Sequence, residues 1–384
     1  MSPRGRVCFY SEYVYPLLGR REIEFAGGAE ALVARLARGL VARDYEVSIV
    51  TCDYGQAARE LIDGVVVWRA FRPHVGPPVL RFFHPRLSRA ALGLMRADAE
   101  VYYVCGAGMP AGLTCDVARL RRAGFVSAAA SDYDIVPGLP ARGGPLDRWW
   151  YRRALRAADA VLAQTEFQRH WFREAFGLES EVLPNVVDLP EQVLDAGQDG
   201  LVLWLGTYKA IKRPEWFVEL ARALPACRFV MAGVVPPPPL TQEVWEAARA
   251  AARECPNLEV RGFQTDAELQ ALRRRTSLVV HTSPVEGFSN VMLEAWAAGL
   301  PTVSAVDPDG LVEREGVGEV ATDPAALVAS VRRLMADPAL RRAAGARARR
   351  HAEARHAPGV VLDVLCRVLD RVIDSVRRRR GGAG

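Results

Sequence analysis

The amino-acid sequence predicts an α/β protein that contains two doubly wound parallel-sheet domains in tandem. Its 384 residues exceed what one hydrophobic core usually holds, so two domains of roughly 150–200 residues are expected. A strand–helix–strand unit opens the chain, and a second series of alternating strands and helices starts near residue 201. Alternation of this kind predicts parallel sheets that are covered by helices.

The opening unit is recognised by a change in hydrophobic period. Residues 7–10 form a short apolar run and residues 45–51 alternate β-branched side chains, as buried strands do. Between them, apolar residues recur at helical spacing: Ala29, Leu32, Val33, Leu36 and Leu40. Gly27 and Gly28 stand where this helix begins. Such a pair lets helix-terminal amides approach an anion, and a tight entry into the helix explains it equally well.

The remainder of the first domain continues the alternation of strands and helices. Strand-like runs occupy residues 61–67, 101–104, 124–130, 160–164 and 181–183, and a helix is predicted over residues 146–157. Residues 190–200 are polar and contain Gly197 and Gly200, which is typical of a linker. We therefore predict a first domain over residues 1–190.

A second domain is predicted over residues 191–355. Strands at residues 201–205, 228–232, 258–261, 278–281 and 302–305 alternate with helices, and helices fill residues 325–350. Within the last segment, residues 356–384, apolar side chains recur at helical spacing before the four arginines Arg377–Arg380. We predict a packed helix whose arginines form a solvated last turn, with contact to an anionic membrane surface as the alternative.

Composition and charge exclude several classes of function. The 50 Lys and Arg against 45 Asp and Glu give a net charge of +5, which is too mild for a nucleic-acid-binding protein. The seven cysteines are scattered and include no Cys-x-x-Cys pair, which argues against a disulfide framework or a zinc site and for the cytoplasm. No apolar stretch reaches the ~18 residues that span a bilayer, so any membrane contact is expected to be peripheral, at the inner membrane surface.

The densest motif runs from Glu286 to Glu294. It follows a predicted strand, its loop contains Gly287, and Ser289 or Asn290 can cap the helix that holds Glu294. Ligands of open parallel sheets bind at this end of the strands. Backbone amides and the helix dipole would bind a diphosphate there, and the two carboxylates would accept hydrogen bonds from sugar hydroxyls. Acidic residues that only stabilise the helix dipole are the structural alternative.

This motif resembles the signature of the family 4 retaining glycosyltransferases, which have GT-B architecture. The matching segments lie in the family's order: Gly27-Gly-Ala-Glu30, Pro184-Asn-Val-Val-Asp188, Gly206 with Lys212, Gly262-Phe263, Glu286 with Glu294, and Gly299 with Pro301. The resemblance covers nearly the whole chain. It implies two Rossmann-like domains that face a cleft, an acceptor-side first domain, a second domain that binds the nucleotide sugar, and a C-terminal helix that packs back toward the first domain.

The resemblance also implies a role for each matching residue. Glu294 binds the ribose, Glu286 binds a hydroxyl of the transferred sugar, and Lys212 neutralises the leaving phosphate. The other donor-binding positions are Gly206, Thr207, Gly287, Phe288, Ser289 and Asn290, and the acceptor or phosphate loop holds Gly27 and Gly28. The expected partners are a nucleotide sugar and a glycan or lipid-linked acceptor, with no nucleic acid, no cofactor and no metal.

Two positions depart from the family pattern. The usual arginine of the donor site is Thr207 here, and Lys209 or Arg213 is available to replace its charge. The usual histidine of the first domain is replaced by the segment Ser131-Asp-Tyr-Asp134. We predict that Asp132 or Asp134 positions the donor or acceptor sugar, and we count Asp132 with Lys212 and Glu286 as catalytic. A loop cap and a metal-binding Asp-x-Asp pair are the alternatives.

Two segments, residues 81–96 and 148–156, interleave aromatic or apolar residues with arginines. Each fits either a surface that meets a lipid-linked acceptor or a core face with arginines at its rim. The predicted function is metal-independent, retaining transfer of a sugar from a nucleotide diphosphate to an acceptor hydroxyl of a glycan, glycolipid or cell-envelope precursor. The alternatives are a non-catalytic sugar-nucleotide-binding partner in a polysaccharide pathway and a sugar-nucleotide epimerase of the same architecture.

Overall fold

A computed structural model describes residues 3–19, 27–73, 75, 82–137, 143–196, 200–235 and 242–381. The chain divides into two compact units, the first made of Met1–Val186 with Pro358–Gly384 and the second of Val187–Ala357. The boundaries predicted at 190/191 and 355/356 lie a few residues away from these. The second unit starts at Val187, whose amide donates to the carbonyl of His356 at 3.0 Å.

The first unit is built on an eight-stranded sheet with the order β3-β4-β2-β1-β5-β6-β7-β8. All neighbouring strands are parallel except β3 and β4. The strands are β1 Arg6–Tyr10, β2 Glu46–Thr51, β3 Arg59–Ile62, β4 Val65–Arg69, β5 Val101–Cys105, β6 Gly124–Ala128, β7 Ala160–Ala163 and β8 Glu181–Val182.

One predicted strand of this unit is a hairpin in the structure. Residues 61–67 were expected to form a single strand, but β3 and β4 meet there as an antiparallel pair. Asp63 and Gly64 join them with φ values of 48° and 79°. Two consecutive residues with positive φ make the tight turn that matches the twist of a hairpin, and Asp-Gly is a favoured pair for it.

The helices of the first unit lie between its strands, and the last helix of the chain packs on it as well. They are α1 Tyr15–Leu18, α2 Gly28–Val41, α3 Ser88–Ala97, α4 Met109–Leu120, α5 Pro145–Arg156, α6 Glu166–Phe176 and, from the C-terminus, α14 Pro358–Gly381. Two glycines, one in α2 and one in β6, let α14 pack closely against these elements. A Cβ on Gly39 would lie 2.4 Å from Leu362 Cδ1, and one on Gly124 would lie 2.3 Å from Val372 Cγ1.

The terminal arginines differ from the solvated turn that we predicted. Arg377 donates to Glu100 Oε1 at 2.9 Å, Arg379 donates to Asp159 Oδ1 at 2.9 Å, and Arg380 donates to the carbonyl of Arg122 at 3.1 Å. Although exposed, these side chains fix the end of α14 to the first unit.

The second unit contains a six-stranded parallel sheet with the order β11-β10-β9-β12-β13-β14. The order reverses between β9 and β12, as it does between the two halves of a Rossmann sheet. The strands are β9 Leu201–Thr207, β10 Arg228–Val234, β11 Leu258–Arg261, β12 Thr276–His281, β13 Thr302–Ser304 and β14 Gly318–Val320. The predicted fold class is confirmed.

Seven helices of the second unit are described, and they pack on the sheet and on one another. They are α7 Pro214–Ala223, α8 Gln242–Glu254, α9 Asp266–Arg274, α10 Asn290–Ala297, α11 Leu311–Glu315, α12 Pro324–Ala336 and α13 Pro338–His356. Buried apolar side chains from β9, α7 and β10, including Trp204, Phe217 and Met231, form one core face. Across the described parts of both units, no helix has the length and apolar composition needed to cross a bilayer.

Candidate functional site

The carboxyl ends of β9 and β12 form the point of the second sheet where a ligand is expected. Because the strand order reverses between these two strands, the loops that follow them are expected to diverge and to leave a crevice at the carboxyl edge of the sheet. Gly206 and Thr207 end β9, and both are partly exposed. The neighbouring Gly233 has no room for a side chain, since a Cβ there would lie 1.6 Å from the Gly206 carbonyl oxygen.

A short 3₁₀ turn, Ala210–Lys212, follows β9 and carries Lys212 to the crevice. The Thr282 hydroxyl, which directly follows β12, donates to the Lys212 carbonyl oxygen and accepts a hydrogen bond from Trp204 Nε1 at 2.9 Å. Trp204 is buried in the core of the unit. This chain of hydrogen bonds fixes the backbone of Lys212 beside the end of β12.

Lys212, Glu286 and His281 form a cluster at this point. Lys212 Nζ contacts Glu286 Oε1 as an ion pair, and His281 Nε2 lies 3.4 Å from the same oxygen. The other ring nitrogen of His281 is 3.3 Å from the Ser304 hydroxyl at the end of β13. Because a carboxylate can only accept hydrogen bonds, the proton of His281 belongs on Nε2, toward Glu286.

The environment of Glu286 favours its ionised form. Burial alone would raise the pKa of this carboxyl, but the hydrogen bond from His281 and the positive charge of Lys212 outweigh it. The pKa of Glu286 is lowered from 4.5 to about 2. Glu286 is therefore an anionic acceptor at every physiological pH, which suits binding of a hydroxyl and not donation of a proton.

The loop after Glu286 ends at the N-terminus of α10. The Ser289 hydroxyl caps this helix by accepting from the amide of Met292 at 3.4 Å. Phe288 points into the core, where its ring packs edge-on against Trp296 at 5.8 Å and against His356 at 4.8 Å. Gly287 and Phe288 can therefore offer a ligand their backbone, while the ring of Phe288 anchors the loop. Asn290 begins the helix, where the partial positive charge is greatest.

Glu294 lies on α10, one turn beyond its start, and its carboxylate is already paired. Arg273, from the last turn of α9, contacts Glu294 Oε2 as a partly buried ion pair. The sequence analysis did not single out Arg273, which stands in a run of three arginines that gives no sign of which one points to the site. His281 was also missed as a site residue, although its place at the end of a predicted strand was a usable signal.

The structure distinguishes the two cations that could replace the missing arginine at Thr207. Arg213 has its guanidinium 4.6 Å from the centre of the Trp216 ring, a cation–π contact that occupies it. Lys209 is exposed, and no carboxylate pairs with it in the part of the chain that the structure describes. Among the described residues, Lys209 is therefore the more exposed of the two cations, and its replacement of the missing arginine stays a prediction.

In the first unit, the glycine pair lies at the start of α2. Gly27 is the N-cap residue, with extended backbone, and Gly28 is the first residue of the helix. Residues 20–26, which precede the pair, lie outside the described part of the chain. The predicted helix entry is present, and the phosphate or acceptor role of Gly27 and Gly28 stays a prediction.

The two carboxylates of the Asp132–Asp134 turn do different things. Asp134 Oδ2 accepts from the amides of Ala130 and Ser131 at 3.1 and 3.2 Å, so this residue caps the loop. Asp132 Oδ1 accepts from Gln168 Nε2 at 2.9 Å. Among the described residues, no group of three or more His, Cys, Asp or Glu side chains could hold a metal, here or elsewhere. The loop-cap alternative applies to Asp134, and a substrate role for Asp132 stays a prediction.

The two arginine-rich segments also differ from each other. In residues 81–96, Leu94 is fully buried and Arg86 pairs with the buried Glu12 at 3.1 Å, so much of this segment is a core face with arginines at its rim. Arg81 lies outside the described residues. The second segment belongs to α5, whose Trp149 keeps 60% of its surface exposed. Each segment presents a large aromatic side chain to solvent, since Phe83 of the first segment also keeps 60% of its surface exposed.

Family models match both halves of the chain. The chain matches the models of Glycosyltransferase Family 4 over residues 26–191 and of Glycosyl transferases group 1 over residues 199–337. A comparison with curated protein sequences gave no significant match.

Solved structures share the fold at low sequence identity. Sucrose-phosphate synthase of Thermosynechococcus elongatus is 19% identical with a TM-score of 0.77, over 96% of this chain and 99% of that one. HepE of Anabaena in complex with UDP-glucose is 16% identical with a TM-score of 0.72, over 96% and 100%. A trehalose-6-phosphate protein of E. coli bound with UDP-2-fluoro glucose is 12% identical with a TM-score of 0.67, over 95% and 99%. The two family models together span most of the sequence, and the chain belongs to the family 4 glycosyltransferases.

Proposed function

We propose that this glycosyltransferase moves a sugar from a nucleoside diphosphate to an acceptor hydroxyl with retention at the anomeric carbon and without a metal. One observation supports this most strongly. Lys212, the ionised Glu286 and the N-terminus of α10 meet at the reversal point of a Rossmann-type sheet. A cation and a helix N-terminus together suit a diphosphate, and a carboxylate beside them suits a sugar hydroxyl.

The ion pairs indicate how a donor would bind. Lys212 would leave Glu286 for the diphosphate, since the phosphate oxygens offer it a stronger charge. Glu286, still held by His281, would then accept a hydrogen bond from the transferred sugar. In the same way, Glu294 would accept from the ribose hydroxyls while Arg273 holds it in place. The ion pairs Lys212–Glu286 and Arg273–Glu294 thus lie where the diphosphate, the sugar and the ribose of a donor would bind.

The transfer itself needs little from the protein besides position and charge. The acceptor oxygen bonds to the anomeric carbon as the bond from that carbon to the diphosphate oxygen breaks, and the hydroxyl proton passes to the leaving phosphate. Extra negative charge develops on that phosphate in the transition state. Lys212, the exposed Lys209 and the α10 dipole would stabilise it in place of a divalent cation.

The base of the donor is proposed from the structural relatives. HepE was solved in complex with UDP and with UDP-glucose, and the E. coli protein with UDP-2-fluoro glucose, so UDP sugars are the first donors to test. The acceptor is proposed to be a glycan, a glycolipid or a cell-envelope precursor, reached by a protein that is cytoplasmic or peripheral to the membrane.

The test begins with a thermal-shift screen of UDP, GDP, ADP and TDP sugars, because a bound donor raises the unfolding temperature. Turnover with the best donor and a panel of hydroxyl acceptors is then followed by nucleotide release, with and without EDTA, and the anomer of the product is read by NMR. Glu254→Gln, an exposed acid on α8, is the control for Glu286→Gln. Full turnover by Glu286→Gln, loss of activity in EDTA, or an inverted product would contradict the respective part of the proposal.

A further inference from the structure

Helix α5 of the first unit has one face that is held firmly and another that faces solvent. On the inner side, Trp150 packs so closely on α4 that a Cβ on Gly112 would lie 2.2 Å from its ring. The indole of Trp150 donates to Asp116 at 2.9 Å, and Tyr151 is buried. These contacts fix the rotation of α5, so the composition of its outer face is a defined feature of the surface.

The outer face of α5 combines large apolar side chains with arginines. Leu146 and Trp149 keep 58% and 60% of their surface exposed. Arg148, Arg152 and Arg156 are exposed beside them at helical spacing. These three arginines line a surface groove of about 540 Å³ together with Trp149, Arg119 and Arg153. We use the name α5 face for the two apolar side chains, Leu146 and Trp149, and the five arginines, Arg119, Arg148, Arg152, Arg153 and Arg156.

In the part of the chain that the structure describes, most arginines of the α5 face have no carboxylate partner. Arg153 pairs with Asp116, and its guanidinium lies 5.8 Å from the centre of the Trp149 ring. Within the described residues, Arg119, Arg148, Arg152 and Arg156 have no carboxylate partner. Asp147, the nearby acid on the helix itself, turns back to accept from the amide of Gly144 at 3.3 Å. The face is therefore electrostatically suited to an anionic partner.

The apolar side chains decide which anionic partner fits. A soluble phosphate or sugar phosphate would satisfy the arginines but leave Leu146 and Trp149 in water. A second copy of the same face would bring arginines against arginines. The interface of an anionic bilayer accepts both kinds of side chain, because tryptophan prefers the headgroup level and arginines reach the lipid phosphates.

We propose that the α5 face docks this protein onto the surface of an anionic phospholipid bilayer. The helix lies along the interface with Trp149 and Leu146 among the headgroups and the four unpaired arginines against lipid phosphates. The proposal does not depend on the transfer chemistry, since the face belongs to the first unit and its binding is measured without a donor.

The test is co-sedimentation of the full chain with vesicles of phosphatidylcholine alone or mixed with phosphatidylglycerol. We expect binding to the mixed vesicles only, weakened by salt because screening acts within about 10 Å. Arg148→Gln/Arg152→Gln/Arg156→Gln is expected to bind roughly 100-fold more weakly, as each basic residue near an anionic surface adds about fivefold. Trp149→Ala is expected to bind several-fold more weakly, and unchanged unfolding temperatures would show that both variants are folded.

The matched control removes three exposed arginines of the second unit, Arg253→Gln/Arg274→Gln/Arg332→Gln. It changes the net charge by the same amount and is expected to bind like the wild type. Equal loss in this control would mean that net charge alone drives binding and would overturn the proposal. So would equal binding to neutral vesicles, wild-type binding by the α5 triple variant, or displacement from vesicles by soluble glycerol phosphate at concentrations that do not change the ionic strength.

Discussion

The two units use the polar residues at the carboxyl ends of their strands differently. In the second unit, Lys212, Glu286 and His281 come from three separate segments and contact one another across the crevice. In the first unit, Asp134 bonds to amides of its own loop and Gly27 begins the helix that it precedes, while Asp132 with Gln168 and Glu12 with Arg86 form two separate contacts between segments. In the second unit, Lys212 and His281 both contact the same oxygen of Glu286 beside the N-terminus of α10, and this convergence indicates a site that is built before the donor arrives.

The largest effect is expected from removing the positive charge of Lys212, which the second unit places at its site and for which the first unit has no assigned counterpart. Lys212→Ala is expected to lower kcat by on the order of 10³-fold, because the charge that stabilises the leaving phosphate is lost. Steady-state kinetics with saturating donor and acceptor would measure this. A loss below about tenfold would show that Lys212 stabilises only the resting structure.

The ion pair at the ribose position should affect donor binding more than chemistry. Glu294→Gln is expected to raise the KM for the donor roughly 10–100-fold, since hydrogen bonds to a charged group are worth about 1.5–3 kcal/mol. Arg273→Gln should raise it less, with kcat unchanged, because Arg273 only holds Glu294. The neighbouring Arg274→Gln is the control. If Arg273→Gln lowered kcat and left the KM unchanged, its positioning role would be wrong.

The low pKa of Glu286 predicts a particular acid sensitivity. A carboxyl whose pKa is about 2 when folded and 4.5 when unfolded contributes stability that is complete above pH 4.5 and is lost as the pH falls toward 2. The wild type should therefore lose about 2 kcal/mol more than Glu286→Gln between pH 7 and pH 3. Urea unfolding of both proteins at the two pH values would measure the difference. Equal losses would mean that Glu286 titrates normally.

In the first unit, substitution of the loop cap should reduce stability and leave donor binding intact. Asp134→Asn is expected to lower the free energy of unfolding by about 1 kcal/mol, as loss of a helix cap does, with no change in the KM for the donor. Asp132→Asn is compared with it, because Asp132 is the residue with a predicted substrate role. A fall in kcat for Asp132→Asn alone would give that residue the substrate role predicted for it, and a fall for Asp134→Asn would contradict its role as a cap.

Much of the fold could be predicted from the sequence because its signals are local. Apolar periodicity, glycines and prolines indicated two tandem α/β sheets, and the Glu286–Glu294 segment does lie at the ligand end of a strand. The hairpin at Asp63–Gly64 was missed, although its turn residues are typical, because the apolar residues on either side of that pair were assigned to one strand.

The contacts of the site could not be predicted in the same way. The pairs Arg273–Glu294 and Lys212–Glu286 join residues that are 21 and 74 positions apart, and only the packing of α9 and the 3₁₀ turn on the sheet brings them together. The exposure of the α5 face also depends on which side of the helix meets α4. An amphipathic pattern that contains tryptophan on both sides does not reveal this.

The central claim is that Lys212 and Glu286 hold the place of the donor's diphosphate and sugar. Isothermal titration of UDP into the wild type, Lys212→Ala and Glu286→Gln tests it most directly. We predict that Lys212→Ala binds UDP roughly 10–100-fold more weakly, and that Glu286→Gln binds it at least as tightly as the wild type, because the carboxylate that competes for Lys212 is gone. Wild-type affinity in Lys212→Ala, or an equal loss in both variants, would contradict the account.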